Sequence, residues 1–248
     1  QVIDKLLDLS SSRSVWIAGD LAQGYYYEDA HIVNLVDVIG DKLHPSQRTT
    51  LSMNLRNTFD LSNILSVIRE TFIGSIANRP EIFRMVLPTQ IPGHFIHGPK
   101  TVIHILDKFN ADMLNYVLNT ELDKIFGVKN EFFNSDIGLV YNYVISDIES
   151  IIEETVKKRR DDAGNEIGVC HSEHSSSSEW PAVVVLHEMT RYSERDLTTL
   201  YLAISRARVH CSVILYPLEG TCLEDNRQMM IDLPDRLKSY AQIIRHNN

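Results

Sequence analysis

Pro181-Ala182-Val183-Val184-Val185-Leu186-His187-Glu188-Met189 sets the fold class of this chain. Five consecutive apolar residues, three of them valine, read as a strand. A strand apolar at successive positions buries both of its faces, which is the habit of strands inside a parallel sheet covered by helices on both sides. Segments 14–20, 100–106, 136–144 and 209–217 repeat the pattern. Helical spacing of apolar residues occupies the intervals between them: 2–9, 61–74, 110–126, a stretch from about 145 to 159, 194–207, and one amphipathic helix in the last thirty residues. Strands alternating with helices predict an α/β fold with a mostly parallel sheet. The charged run 157–166 reads as a solvated turn, and 86–99, with three prolines and two glycines, as turns.

Composition narrows the function. The chain has 248 residues, 44% hydrophobic, with 24 Lys and Arg against 33 Asp and Glu, a formal charge of −9. That balance argues against a general basic coat for nucleic acid, though not against a motor that grips a strand in one local groove. Three scattered cysteines point to a reducing, intracellular setting. No apolar run is long enough to span a membrane. The chain opens on Gln1 without a leader pattern and reads as a piece starting inside a longer protein.

Four polar segments adjoin the apolar ones. Gly19-Asp20-Leu21-Ala22-Gln23 ends the first strand and runs into Tyr25-Tyr26-Tyr27. Leu51-Ser52-Met53-Asn54-Leu55-Arg56-Asn57-Thr58 leads into the helix at 61–74. Ser175-Ser176-Ser177-Ser178-Glu179-Trp180 enters the central strand, and Leu200-Tyr201-Leu202-Ala203-Ile204-Ser205-Arg206-Ala207 closes the helix at 194–207. In a parallel sheet, ligands gather at the carboxyl ends of strands, so chemistry is expected in the polar segments that follow or precede these strands. A carboxylate at Glu179 suits a ribose hydroxyl. An arginine on a rigid helix, as Arg206 is read to be, can offset charge on a phosphoryl group. Trp180 is read both as a lid on the core and as a support for Glu179.

In this order the segments resemble motifs III, IV, V and VI of superfamily 1 helicases, closest to the Rep/UvrD-like branch, across about residues 14–215. The resemblance implies a RecA-like second motor domain over 50–220. It would be preceded by the tail of a first RecA-like domain (1–49) and followed by a helical tail (221–248). By the same resemblance, Gln23, Arg56 and Arg206 contact the γ-phosphate of ATP and Glu179 binds its ribose. Tyr26 stacks on a base of single-stranded DNA or RNA, Asp20 couples the two sites, and Ser176 stands at the nucleic-acid side of motif V. The implied cofactors are ATP and Mg²⁺; the implied partners are the strand and the first RecA-like domain.

Departures from the family are as informative. The phosphate loop and the Asp-Glu pair that holds Mg²⁺ are absent from this sequence, so it is expected to hydrolyse no ATP by itself. Ser176-Ser177 replaces the Lys-Gly of motif V, and Leu55 stands where an aromatic residue usually stacks on adenine. Both changes also fit a degenerate module kept as a scaffold. Asn54 and Glu179 are 125 positions apart (179 − 54), too few for the large insertion of Rep/UvrD enzymes. The compact spacing resembles helicase-like modules of large eukaryotic proteins such as the Schlafens. Cys170-His171 with His174 lacks a second cysteine pair, so it reads as a loop and not as a zinc site.

Overall fold

The computed structural model describes residues 52–75, 91–127, 137–142, 146–163, 167–189, 193–222 and 228–247. Asp20, Gln23 and Tyr26, with the whole 1–49 segment, lie outside the described residues.

A two-stranded ribbon, β1 (Met53–Asn54) with β2 (Ile91–Pro92), stands beside a six-stranded sheet. The sheet contains β3 (Thr101–Leu106), β4 (Ile137–Tyr141), β5 (Ile167–His171), β6 (Trp180–Met189), β7 (Ala207–Pro217) and β8 (Ala241–His246). Their order is β5-β4-β6-β7-β3-β8, and every pairing is parallel. The helices are α1 (Phe59–Ser75), α2 (Ala111–Gly127), α3 (Ser146–Ala163), α4 (Ser193–Ile204) and α5 (Gln228–Leu237). This is the α/β fold that the apolar runs predict.

Alternation along β6 explains why its sequence is apolar throughout. Val183, Val185 and Met189 join the cluster of Leu61, Ile64, Leu65, Ile68 and Phe72 from α1, with Leu200 and Ile204 from α4 and Leu233 from α5. Ala182, Val184 and Leu186 enter the opposite cluster with Leu114, Leu118 and Leu122 of α2 and Ile148 of α3. Each layer alone would leave one strand face wet, so both layers are needed to bury the valines.

Four details depart from the sequence reading. The run read as a turn at 157–166 stays helical to Ala163; within it Arg159 reaches back to α2, 2.6 Å from Asp123 Oδ1. β5 went unread as a strand; its Gly168 and Cys170 break the apolar run. Helix α4 stops at Ile204, so Arg206 lies in a turn and not on the helix. The stretch read as a helical tail contributes α5 and also β8, which pairs with β3 at the edge of the same sheet.

Candidate functional site

The quoted segments come together through the turn that carries Arg56. Asn54 folds over its own backbone: its side-chain oxygen accepts from the N–H groups of Arg56 (3.1 Å) and Asn57 (3.2 Å), and its amide donates to the Asn57 oxygen at 2.8 Å. Such local bonding is what asparagine does best in a tight turn. Asn57 then reaches across the molecule and donates to the carbonyls of Ala207 and, at 3.5 Å, Ser205. The Thr58 N–H donates to the Arg208 carbonyl at 3.1 Å. The start of α1 is thereby fixed to the junction between α4 and β7.

Glu179 stands beside that junction. The Trp180 N–H donates to the Arg206 carbonyl at 3.0 Å, and Trp180 pairs with Ala207 in the ladder. Glu179 and Arg206, each one residue ahead of its strand, are therefore neighbours. Arg56 Nη2 lies 2.9 Å from Glu179 Oε1, with the two side chains 45% and 39% exposed. This is an ion pair open to solvent and available to exchange partners.

Arg206 behaves differently, being 1% exposed. Its Nε donates to the Leu202 carbonyl (3.2 Å) and Ser205 Oγ (3.1 Å), its Nη2 to Ser205 Oγ (2.8 Å), and its Nη1 to the Ser175 carbonyl (3.2 Å). The guanidinium caps the carboxyl end of α4, where a cation is favoured, and ties it to the 3-10 turn Ser172–Ser177. Burial lowers its affinity for the proton, and the charge of Arg56 lowers it further, while Glu179 acts in the opposite sense. Arg56 thus pairs with Glu179 directly near the amino end of a 17-residue helix, and Arg206 feels the charge of both without bonding to the carboxylate through any of these contacts. That arrangement has positive charge to spare and suits an oxyanion such as a phosphate.

Arg56, Glu179 and Arg206 meet where the polar segments precede their strands, at the amino ends of β6 and β7, rather than at the carboxyl ends where ligands of such sheets usually gather. His171, the last residue of β5, pairs with Tyr141, which in turn pairs with Leu186 near the far end of β6. The stretch from Ser172 to Ser178 carries the chain back along the sheet, so Glu179 emerges at the opposite end from His171. Ser176 belongs to this turn by its backbone; its side chain is outside the described residues.

Trp180 lies over glycines of β4 and of β5 beyond it. A β-carbon on Gly138 would fall inside the indole, and one on Gly168 would stand 2.8 Å from its Nε1. The ring is partly buried against the core, which bears out the reading of Trp180 as a lid. The paired glycines of β4 and β5 were the sequence signal for it.

The carboxyl end holds polar groups that sequence reasoning missed. The Asn142 amide donates to the Glu188 carbonyl (2.8 Å) and its oxygen accepts from the Glu188 N–H (2.7 Å). Glu188 and Tyr216 are ladder partners, and Glu188 Oε2 and the Tyr216 hydroxyl are both buried without a hydrogen-bond partner among the described residues. Burial pushes the Glu188 carboxyl up to about 7, and burial pulls His187 down to about 3. Among the described residues no group of three or more His, Cys, Asp or Glu is arranged to hold a metal ion. None of the described helices is long and apolar enough to cross a membrane.

No protein-family model matches this chain, and no curated protein matches it. Among solved structures, it is similar to the C-terminal domain of a possible DNA helicase from the Lactobacillus strain WCFS1. The two are 13% identical with a TM-score of 0.40, over 77% of this chain and 99% of the other. A likeness of that size leaves the functional reading to the residues of this chain.

Proposed function

We propose that this chain is the second motor half of an ATP-dependent helicase or translocase of the superfamily 1 type. The observation that carries the reading is the meeting of Arg56, Glu179 and Arg206, from three separate motif-like segments, in one positively biased cluster. A first RecA-like domain would supply the phosphate loop and Mg²⁺, and ATP would bind between the halves. Arg56, half exposed on a rigid turn, would leave Glu179 for the γ-phosphate and offset charge during phosphoryl transfer. Glu179, once released, would be free to accept from a ribose hydroxyl. Arg206 would act from behind, holding the 3-10 turn in place and adding its field. Gln23, Asp20, Tyr26 and Ser176 keep the roles that the motif resemblance implies, with Tyr26 stacking on a base of the single strand.

A second reading, a scaffold without turnover, is favoured by Ser176-Ser177 in place of Lys-Gly and by an Arg206 whose guanidinium is already bound to carbonyl and hydroxyl oxygens. Strand-stimulated ATP hydrolysis by the longer protein separates the two. Arg56 is the position to change, because removing Arg206 would also unpair buried carbonyls and cost stability. On the motor reading, Arg56→Ala lowers kcat on the order of a hundredfold or more while folding is kept. An unchanged rate in that variant would rule out Arg56 as a phosphate contact.

A further inference from the structure

We propose that the edge strand β8 is held on β3 by a histidine pair that accepts one added proton but not two, so that mild acid releases β8 and uncovers the edge of the sheet. The pair sits in a polar chain on the α2 side of the sheet, away from Arg56 and Glu179. His104 of β3 and His246 of β8 stack with ring centroids 5.2 Å apart, and His104 Nδ1 lies 2.9 Å from His246 Nε2. On its other side, His104 Nε2 lies 3.1 Å from Oε1 of Glu121 on α2. Lys124 Nζ donates to that same oxygen at 2.6 Å. Ser212 Oγ of β7 donates to Glu121 Oε2 at 2.6 Å and lies 3.3 Å from His210 Nε2. The Asp107 N–H donates to the His246 carbonyl at 3.4 Å.

The protons can be counted. Burial by itself would raise Glu121, but hydrogen bonds from His104, Lys124 and Ser212 outweigh it and hold the carboxyl at about 2. It is therefore ionised at any mildly acidic pH, and a carboxylate oxygen 3.1 Å away suits the N–H tautomer at His104 Nε2. His104 Nδ1 then accepts from the His246 Nε2–H when the pair is neutral. One more proton leaves that bridge intact, because a single N–H still lies between the two facing nitrogens, with one ring charged and the other neutral. A second puts N–H against N–H and cation against cation, beside the positive charge of Lys124. In agreement, His246 is held below the ordinary histidine range, by burial first and by the charge of His104 second. His210 is lowered too, chiefly by burial.

The sign follows from linkage. The released strand binds a proton that the docked strand refuses. Docking is therefore at full strength above the ordinary histidine value of about 6.5 and weakens as pH falls below it. What opens is the unpaired backbone edge of β3, a surface to which another strand can add.

Amide hydrogen exchange, corrected for its intrinsic pH dependence, tests this between about pH 7.5 and about pH 5. In the wild type, protection of residues 241–246 should fall by up to about tenfold per pH unit below about 6.5, the limit for one proton. Val183–Leu186 in the centre of the sheet should hold. His246→Gln keeps a donor for His104 Nδ1 but cannot titrate, so its β8 should show no such fall; His104→Gln removes only the second cause and should show a smaller fall than the wild type. Wild-type β8 protection that ignores pH overturns the proposal, as does a fall of wild-type size in either variant.

Discussion

The side-chain amide of Asn57 donates to the backbone carbonyl of Ala207, 150 positions further along the chain. This contact joins the turn that carries Arg56 to the turn that carries Arg206. Asn57 is 3% exposed, so its loss leaves the Ala207 and Ser205 carbonyls short of a donor inside the protein. Asn57→Ala should therefore cost about 1–3 kcal/mol in denaturant unfolding. It should also free the Arg56 turn, seen as increased exchange of the Thr58 amide, which donates to Arg208. A variant with wild-type stability would show that the junction is held by other contacts.

Gly138→Ala sets two effects against each other. Alanine restricts the unfolded chain and fits a strand better than glycine, a gain of roughly 0.5–1 kcal/mol. Against this, the new methyl meets the indole of Trp180, a rigid ring already packed on the core. Overpacking of that kind costs about 1–3 kcal/mol, so it should win. The expected result is a lower melting temperature, with Gly168→Ala affected in the same direction. A rise in melting temperature would mean that Trp180 can move aside cheaply and is not the lid it is taken to be.

These two sites show what the sequence could and could not yield. The strands and their layers were legible because Val183, Val184 and Val185 are apolar in succession, a pattern with one common structural solution. The grouping of Arg56, Glu179 and Arg206 was legible only through motif order, since nothing local to Arg56 reveals a partner at Glu179. Which end of the sheet they occupy was legible too, since Glu179 directly precedes the apolar run at 181–189 and Arg206 the one at 209–217. The turn Ser172–Ser177 was not, because a serine-rich stretch carries no periodic signal. β8 was missed for a similar reason: Ala241–His246 mixes polar and apolar residues as an edge strand does, and short runs of that kind resemble the end of a helix. The polar chain through Glu121 was invisible because its members lie on four elements and meet only after the sheet has formed.

Two buried titratable groups at the carboxyl end of β6 set acid and base limits on stability. Glu188 is 2% exposed and His187 is fully buried, with both ring nitrogens lacking hydrogen-bond partners. Burial raises Glu188 from 4.5 to about 7, so the folded state holds a proton that the unfolded chain gives up. Its contribution is present below about 4.5 and is lost as pH rises towards 7. His187 is shifted from 6.5 to about 3, so the unfolded chain binds the proton that the folded state refuses. Its contribution is present above 6.5 and is lost as pH falls towards 3. Between 4.5 and 6.5 the two trends oppose each other and partly cancel. Glu188→Gln should then match the wild type near pH 4.5 and exceed it by about 1–3 kcal/mol above pH 7, where the wild type must bury an ionised carboxylate. His187→Leu should show the complementary gain on the acid side. Urea midpoints measured across pH decide the matter, and a stability difference between Glu188→Gln and the wild type that does not vary with pH would mean that Glu188 finds a partner on ionisation.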